Sequence, residues 1–223
     1  MCGRFVRKST LEEIATAFDL DISGIDFDFA PRFNISPGQQ VAAAIFDAGR
    51  KLKPFKWGLV PFWAKNEKIG YKMINARAET VAEKPGFKQA FTKRRCIVVA
   101  DGFYEWQHAG KTKVPHFVHF KNEKPMGFAG LYERWKAPNG KALDTCTIIT
   151  TSANALMQPI HDRMPVILYK KAFGTWLDPN ANDSHKLTEL LKPFDPDKME
   201  SYPVSPLVNS PKNNSPECIK RIA

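Results

Sequence analysis

Between residues 113 and 151 three apolar runs, KVPHFVHF, MGFAGLYERW and LDTCTIITT, alternate with two short turn-forming stretches, KNEKP and KAPNGK. Runs of this length, rich in β-branched and aromatic residues and bounded by Pro, Gly and Asn, read as strands. With turn chemistry between them, the strands are most simply an antiparallel meander. QQVAAAIFDAGRKLKPFKWGLVP adds two strands around an Asp47-Ala48-Gly49 turn, and CIVVADGFYEW adds a strand that runs into a polar end. A chain so committed to antiparallel pairing has few architectures open to it.

Helices are few and short. STLEEIATAF carries a start signal, since Ser9 and Thr10 each stand three residues before a glutamate, and Leu11, Ile14, Ala15 and Phe18 form one stripe. GFKQAFTKRR, SANALMQPI (ended by Pro159), KAFGTWL and DSHKLTELLK are further helix candidates, and PVILY is a late strand. The tail SPLVNSPKNNSPECI, rich in proline and asparagine, reads as an end that passes from ordered to frayed. No repeat or biased linker divides the 223 residues. The expectation is one domain over 1–223, of α+β class: a mainly antiparallel, barrel-like β-sheet core with flanking helices.

Residues 2–20 lack the apolar segment of a secretion signal, and no apolar run approaches the ~20 residues that span a bilayer. The expected setting is therefore cytosolic, with no membrane partner. Cys2, Cys96, Cys146 and Cys218 are scattered and read as thiols, with no C-x-x-C pair to suggest zinc. His116 and His119 are three apart in a strand and face opposite sides, which argues against a shared metal. Neither metal nor cofactor is expected, and a monomer is.

The net charge of +10 favours a polyanionic partner. From Arg50 to Arg77 the basic residues Lys51, Lys53, Lys56, Lys65, Lys68 and Lys72 face a single acid, Glu67, and are interleaved with Trp57, Phe62, Trp63 and Tyr71. Cations for phosphates and flat rings for unstacked bases suit single-stranded nucleic acid. The same residues also suit a solvated sheet edge over an aromatic core.

Four polar stretches interrupt the apolar pattern: MCGRF, MINARAET, VADGFYEW and PIHDRMPV. Cys2 follows the initiator methionine, so removal of Met1 leaves an α-amine and a thiol on one residue. Glu105, at the end of an apolar strand, either lines a cleft or closes a surface ion pair. His161 is either a proton carrier or part of a turn held by Asp162.

Taken together and in order, MCGRF, FNISPGQQV, WGLVPFWA, NARAET, ADGFYEW, FAGLYERW, TIITTSAN, HDRMPVIL and PVSPLVN resemble the SRAP family, the SOS-response-associated peptidases that sense abasic sites in single-stranded DNA. The resemblance covers about residues 2–208. Val99 departs from it, standing where the family pattern has proline. It implies that Cys2 is the nucleophile, that Asn75, Glu105 and His161 surround the damaged sugar, and that Arg4, Arg77 and Arg163 hold phosphates. Trp106 and the WGLVPFW segment, with Trp57 and Trp63, would shape the path of the strand.

The chemistry the resemblance implies is consistent with the residue types. An α-amine has a reference pKa of about 7.7–8.0 against about 10.4 for lysine, so far more of it is free base at neutral pH. After imine formation on an aldehyde, the adjacent thiol closes a five-membered thiazolidine. A lyase-like elimination and a thiol-dependent removal of Met1 use the same groups. Two other readings are a cysteine protease built on Cys2 and His161, and a non-covalent reader of modified bases in which Cys2 has no part.

Overall fold

The computed structural model describes residues 2–110 and 112–222. Its strands are β1 (Phe5–Arg7), β2 (Arg32–Ile35), β3 (Gln40–Phe46), β4 (Arg50–Trp57), β5 (Asn75–Arg77), β6 (Arg95–Ala100), β7 (Gly102–Ala109), β8 (Thr112–Phe120), β9 (Met126–Lys136), β10 (Ala142–Ser152), β11 (Arg163–Pro165) and β12 (Met199–Pro203). The helices are α1 (Leu11–Phe18), α2 (Lys88–Lys93), α3 (Phe173–Leu177) and α4 (Ser184–Glu189). β10 pairs with β4, β4 with β3, β3 with β6, β6 with β9, and β9 with β10 again, so five strands close into a ring. Closure gives each of these strands a partner on both sides, over two residue pairs at each of the β10–β4 and β3–β6 seams. A second sheet runs β12-β8-β7-β1-β2. The α+β, barrel-like expectation is met.

Alternation along the barrel strands sends side chains to two clusters. Ala43, Ile45, Phe55, Cys96, Val98, Cys146 and Ile148 join Cys2, Phe5, Phe103 and Val118 of the second sheet. Ala44, Leu52, Ile97, Val99 and Ile149 pack instead under Ile14 and Phe18 of α1, Phe91 of α2 and Trp176 of α3. With both faces covered, β6 is buried along its whole length, which is why its sequence RCIVVA is nearly continuous in apolar residues.

Local chemistry sets the element ends. Thr10 caps α1 in a full capping box with Glu13, while Ser9 turns away to bond the Asp101 carboxylate. Asp47-Ala48-Gly49 forms the β3–β4 turn, with Ala48 and Gly49 at positive φ. His116 lies opposite Glu105 and His119 stacks on Phe117, so the two imidazoles point to opposite faces. Among the described residues no helix is long and apolar enough to cross a membrane, and no group of three His, Cys, Asp or Glu side chains is placed to hold a metal ion.

Four readings of the sequence are corrected. CIVVADGFYEW is two strands in different sheets: Asp101 accepts the backbone amides of Lys8 and Ser9, and a Cβ on Gly102 would lie 2.6 Å from the Val118 carbonyl oxygen. β8 does not continue the meander into β9, because both edges of β9 are already taken by β6 and β10. SANALMQPI is a run of turns in which Asn154 Oδ1 accepts from the Met157 amide (3.0 Å) and its Nδ2 donates to the Phe194 carbonyl (2.7 Å). The tail is tied down rather than frayed: Asn34 Nδ2 donates to the carbonyls of Val208, Ser210 and Asn213, and Val208 and Cys218 are buried.

Candidate functional site at the junction of the two sheets

Cys2 lies just ahead of β1, and β1 is held between β2 and β7. Phe5 pairs with Phe103, and the Tyr104 amide donates to the Arg4 carbonyl (2.9 Å). Carried two residues further, this register sets Gly3 level with Glu105, so the start of the chain runs along the strand that carries the carboxylate. Glu105 and Gln107 share one face of β7. Gln107 donates to the Pro159 carbonyl (3.1 Å) and so draws the turn bearing His161 against that face. On the barrel side, β10 separates the other two contributors: β5 lies along one edge, with Ile148 opposite Asn75, and β11 along the other, with Ser152 opposite Arg163.

The four residues expected to act together do meet. Asn75 Nδ2 donates to the Cys2 carbonyl (2.8 Å), and His161 Nε2 lies 3.9 Å from Glu105 Oε2. Cys2 is fully buried. Burial pushes its thiol well above the usual range, and the nearby Glu105 carboxylate adds to the effect, so the sulfur is protonated at neutral pH. Glu105 is 3% exposed, and that burial raises its carboxyl to about 7, poised to give or take a proton. Burial lowers His161 below the ordinary imidazole value. Its Nδ1 accepts the Arg163 amide (3.0 Å), which leaves the proton of the neutral ring on Nε2, facing Glu105. The exposed Asp162 carboxylate lies 2.8 Å from the same nitrogen.

The residues expected to hold DNA divide. Arg77 is exposed at the end of β5, beside the cluster. Trp63 is 52% exposed and stands with exposed Phe62 and Tyr71 among Lys65, Lys68 and Lys72. Trp57 is corrected: it is 1% exposed, edge-on to Phe5, and its Nε1 donates to the Ile74 carbonyl (2.8 Å), so no base can stack on it. Arg4 Nη1 is committed to Asn34 Oδ1 (2.6 Å) and the Val208 carbonyl (2.7 Å). Trp106, near Arg4, donates to Asn209 Oδ1 (2.7 Å) and braces the tail. Arg163 is bound at two points to Glu79, at 2.6 and 3.0 Å.

Sequence reasoning passed over Glu79, Asn34, Gln107 and Thr150. The partner of Glu79 is 84 residues away and that of Asn34 is 174 away, so no local spacing points to either.

These features define a barrel protein whose buried polar cluster is assembled around the N-terminal thiol residue. The chain belongs to the SRAP family: the family model described as SOS response associated peptidase (SRAP) matches residues 1–211. It is 50% identical over 222 residues to the abasic site processing protein YoqW of Bacillus subtilis (strain 168), covering 99% of each chain. It is 36% identical to the mouse abasic site processing protein HMCES over 76% of this chain and 56% of that one. Among solved structures, a protein from Bacteroides thetaiotaomicron superposes over the whole of both chains with a TM-score of 0.87 and 29% identity.

Proposed function

We propose that this protein processes abasic sites in single-stranded DNA and links to them covalently through Cys2 once Met1 is removed. The relatives named for abasic-site processing support the first half. The second half rests on one observation: the second residue of the chain is fully buried and held through its carbonyl by Asn75, beside Glu105 and His161. Chain ends left to themselves fray, so restraint of this kind supports a use for the groups on that residue.

An abasic deoxyribose is mostly a closed hemiacetal. Opening it takes a proton at the ring oxygen and the loss of one from the anomeric hydroxyl. A carboxyl near pH 7 and a neutral imidazole are suited to that exchange. The Cys2 amine then condenses with the aldehyde and releases one water. The thiol adds to the imine carbon, its proton passing to nitrogen, and the thiazolidine is closed. Asn75 fixes the Cys2 carbonyl and so limits the directions from which the amine approaches. No cofactor enters this sequence. Arg77, Lys65, Lys68, Lys72 and the exposed rings of Phe62, Trp63 and Tyr71 would accept the strand.

The test is a denaturing gel of protein incubated with a single-stranded oligonucleotide carrying one abasic site, beside Cys2→Ala and an undamaged oligonucleotide, with an intact-mass measurement for Met1. A heat-stable shifted band that needs both the lesion and Cys2 is expected. Its absence from a chain shown to lack Met1 would overturn the covalent reading. Mass spectra of freshly made Cys2→Ala and Glu105→Gln also report whether removal of Met1 depends on these residues.

A further inference from the structure

The two barrel-side contributors to the cluster, Asn75 and His161, sit on segments that never pair with each other. β5 and β11 lie on opposite edges of β10. What joins them beyond the end of β10 is a side-chain bridge. Glu79, two residues past β5, accepts from Arg163 Nη1 (2.6 Å) and Nη2 (3.0 Å). Arg163 Nη2 also donates to the Thr150 carbonyl (2.6 Å), the oxygen that takes the Ala78 amide from the other side (2.9 Å). One carbonyl at the end of β10 therefore anchors both flanks. The Arg163 amide is the group that holds His161 Nδ1. The guanidinium and the imidazole are thus oriented by one residue's side chain and backbone.

We infer that Glu79 is a positioning residue: its two-point pair with Arg163 ties the strand carrying Asn75 to the turn carrying His161, and so sets the spacing of the polar groups around Cys2. The inference rests on the abasic-site reading for its purpose, though not for its geometry. A bidentate carboxylate–guanidinium pair fixes orientation as well as distance, which a lysine or a single hydrogen bond would not. The Arg163 side chain is 15% exposed and the bond from it holds the Glu79 carboxyl below its usual range, so the pair is intact through neutral pH. Glu79 occupies only part of the donor set of Arg163. The Thr150 carbonyl takes a further Nη2 hydrogen, so both Nη2 hydrogens are used in holding the two flanks together.

The experiment has two readouts on Glu79→Ala and Glu79→Asp. The first is the titration of His161 by NMR. The charged groups that bear on that ring are the N-terminal amine, Glu105 from β7, the neighbouring Asp162, and His108 near the end of β7. Without the strut the turn relaxes toward solvent, and the His161 titration in Glu79→Ala moves upward toward the ordinary imidazole value. The second readout is the single-turnover crosslinking rate at saturating abasic-site oligonucleotide, expected to fall about 10- to 100-fold with its pH profile displaced in the same direction. Glu79→Asp, which keeps the charge on a shorter arm, restores part of both effects. An unmoved His161 titration in Glu79→Ala overturns the inference. So does a slower rate with an unchanged pH profile and no recovery in Glu79→Asp, which marks a fold defect alone. If the wild-type chain forms no adduct, the abasic-site reading fails while the titration still decides the strut.

Discussion

Glu105 contributes a chemical group at a cost in stability. Its carboxyl is raised from an ordinary 4.5 to about 7 because burial disfavours the charged form. A carboxyl raised in the folded state adds stability that is complete below its unfolded pKa and is lost as the pH rises through the folded value. Wild type should therefore lose stability between about pH 4.5 and 7.5 relative to Glu105→Gln, which has no proton to release there. At pH 8 the variant should be more stable by on the order of 3 kcal/mol, since each tenfold change in an acid dissociation constant corresponds to about 1.4 kcal/mol. Thermal melts of the two proteins at pH 4, 6 and 8 check this, and a constant difference in stability across that range would refute the burial account. The same substitution should remove the inflection near pH 7 from the crosslinking rate and slow reversal of the adduct. Reversal at the wild-type rate would show that Glu105 has no part in protonating the thiazolidine.

Among the elements, the segment from Gly58 to Lys72, whose regular structure is one short 3-10 helix at Glu67–Lys72, carries the exposed rings of Phe62, Trp63 and Tyr71. Its shape depends on a close backbone approach: a Cβ on Gly70 would lie 2.6 Å from the Gly58 carbonyl oxygen, and Gly58 itself sits at φ +127°. Gly70→Ala should spread this contact and displace Phe62, Trp63 and Tyr71 together. We expect it to weaken binding of an undamaged single-stranded oligonucleotide about as much as Trp63→Ala, roughly 1–3 kcal/mol if a base stacks on that ring. Fluorescence anisotropy reads this, and undiminished affinity in both variants would remove the segment from the DNA path. The contrast between Trp57 and Trp63 shows where sequence becomes ambiguous, since both sit in one basic-aromatic run and only the β4 register buries the first. Periodicity made β3, β4, β9, β10 and α1 legible because their signals are local. The split at Asp101 and the sheet change before β9 were not, because they depend on the amides of Lys8 and Ser9 and on which edges of β9 were already paired. In the cluster, Cys2, Asn75, Glu105 and His161 were legible only as an ordered set of motifs. Glu79 was not, since its meaning lies in a partner far along the chain.

Across the whole molecule, the cluster lies where the second sheet meets the barrel. Cys2 and Glu105 come from one body of structure, Asn75 and His161 from the other. The Asn75 bond to the Cys2 carbonyl and the Gln107 bond to the Pro159 carbonyl cross between them. The charge of the molecule is arranged on the same scale. With a net +10, the protein attracts any polyanion at long range, and the screening length of about 10 Å at 0.1 M salt limits that attraction to the last approach. The local contribution is then separable by its salt dependence. Each phosphate neutralised on a single strand contributes about −0.7 to the slope of log affinity against log salt. Arg77 is exposed beside Asn75, so Arg77→Ala should flatten that slope by about 0.7 on an undamaged oligonucleotide. The crosslinking rate at saturating DNA should change much less, because the side chain lies outside the bonded group formed by Cys2, Asn75, Glu105 and His161. Titrations from 50 to 300 mM salt measure the slope. An unchanged slope would mean that Arg77 contributes only to the general field, and that the strand reaches Cys2 from the side of Lys65, Lys68 and Lys72 instead.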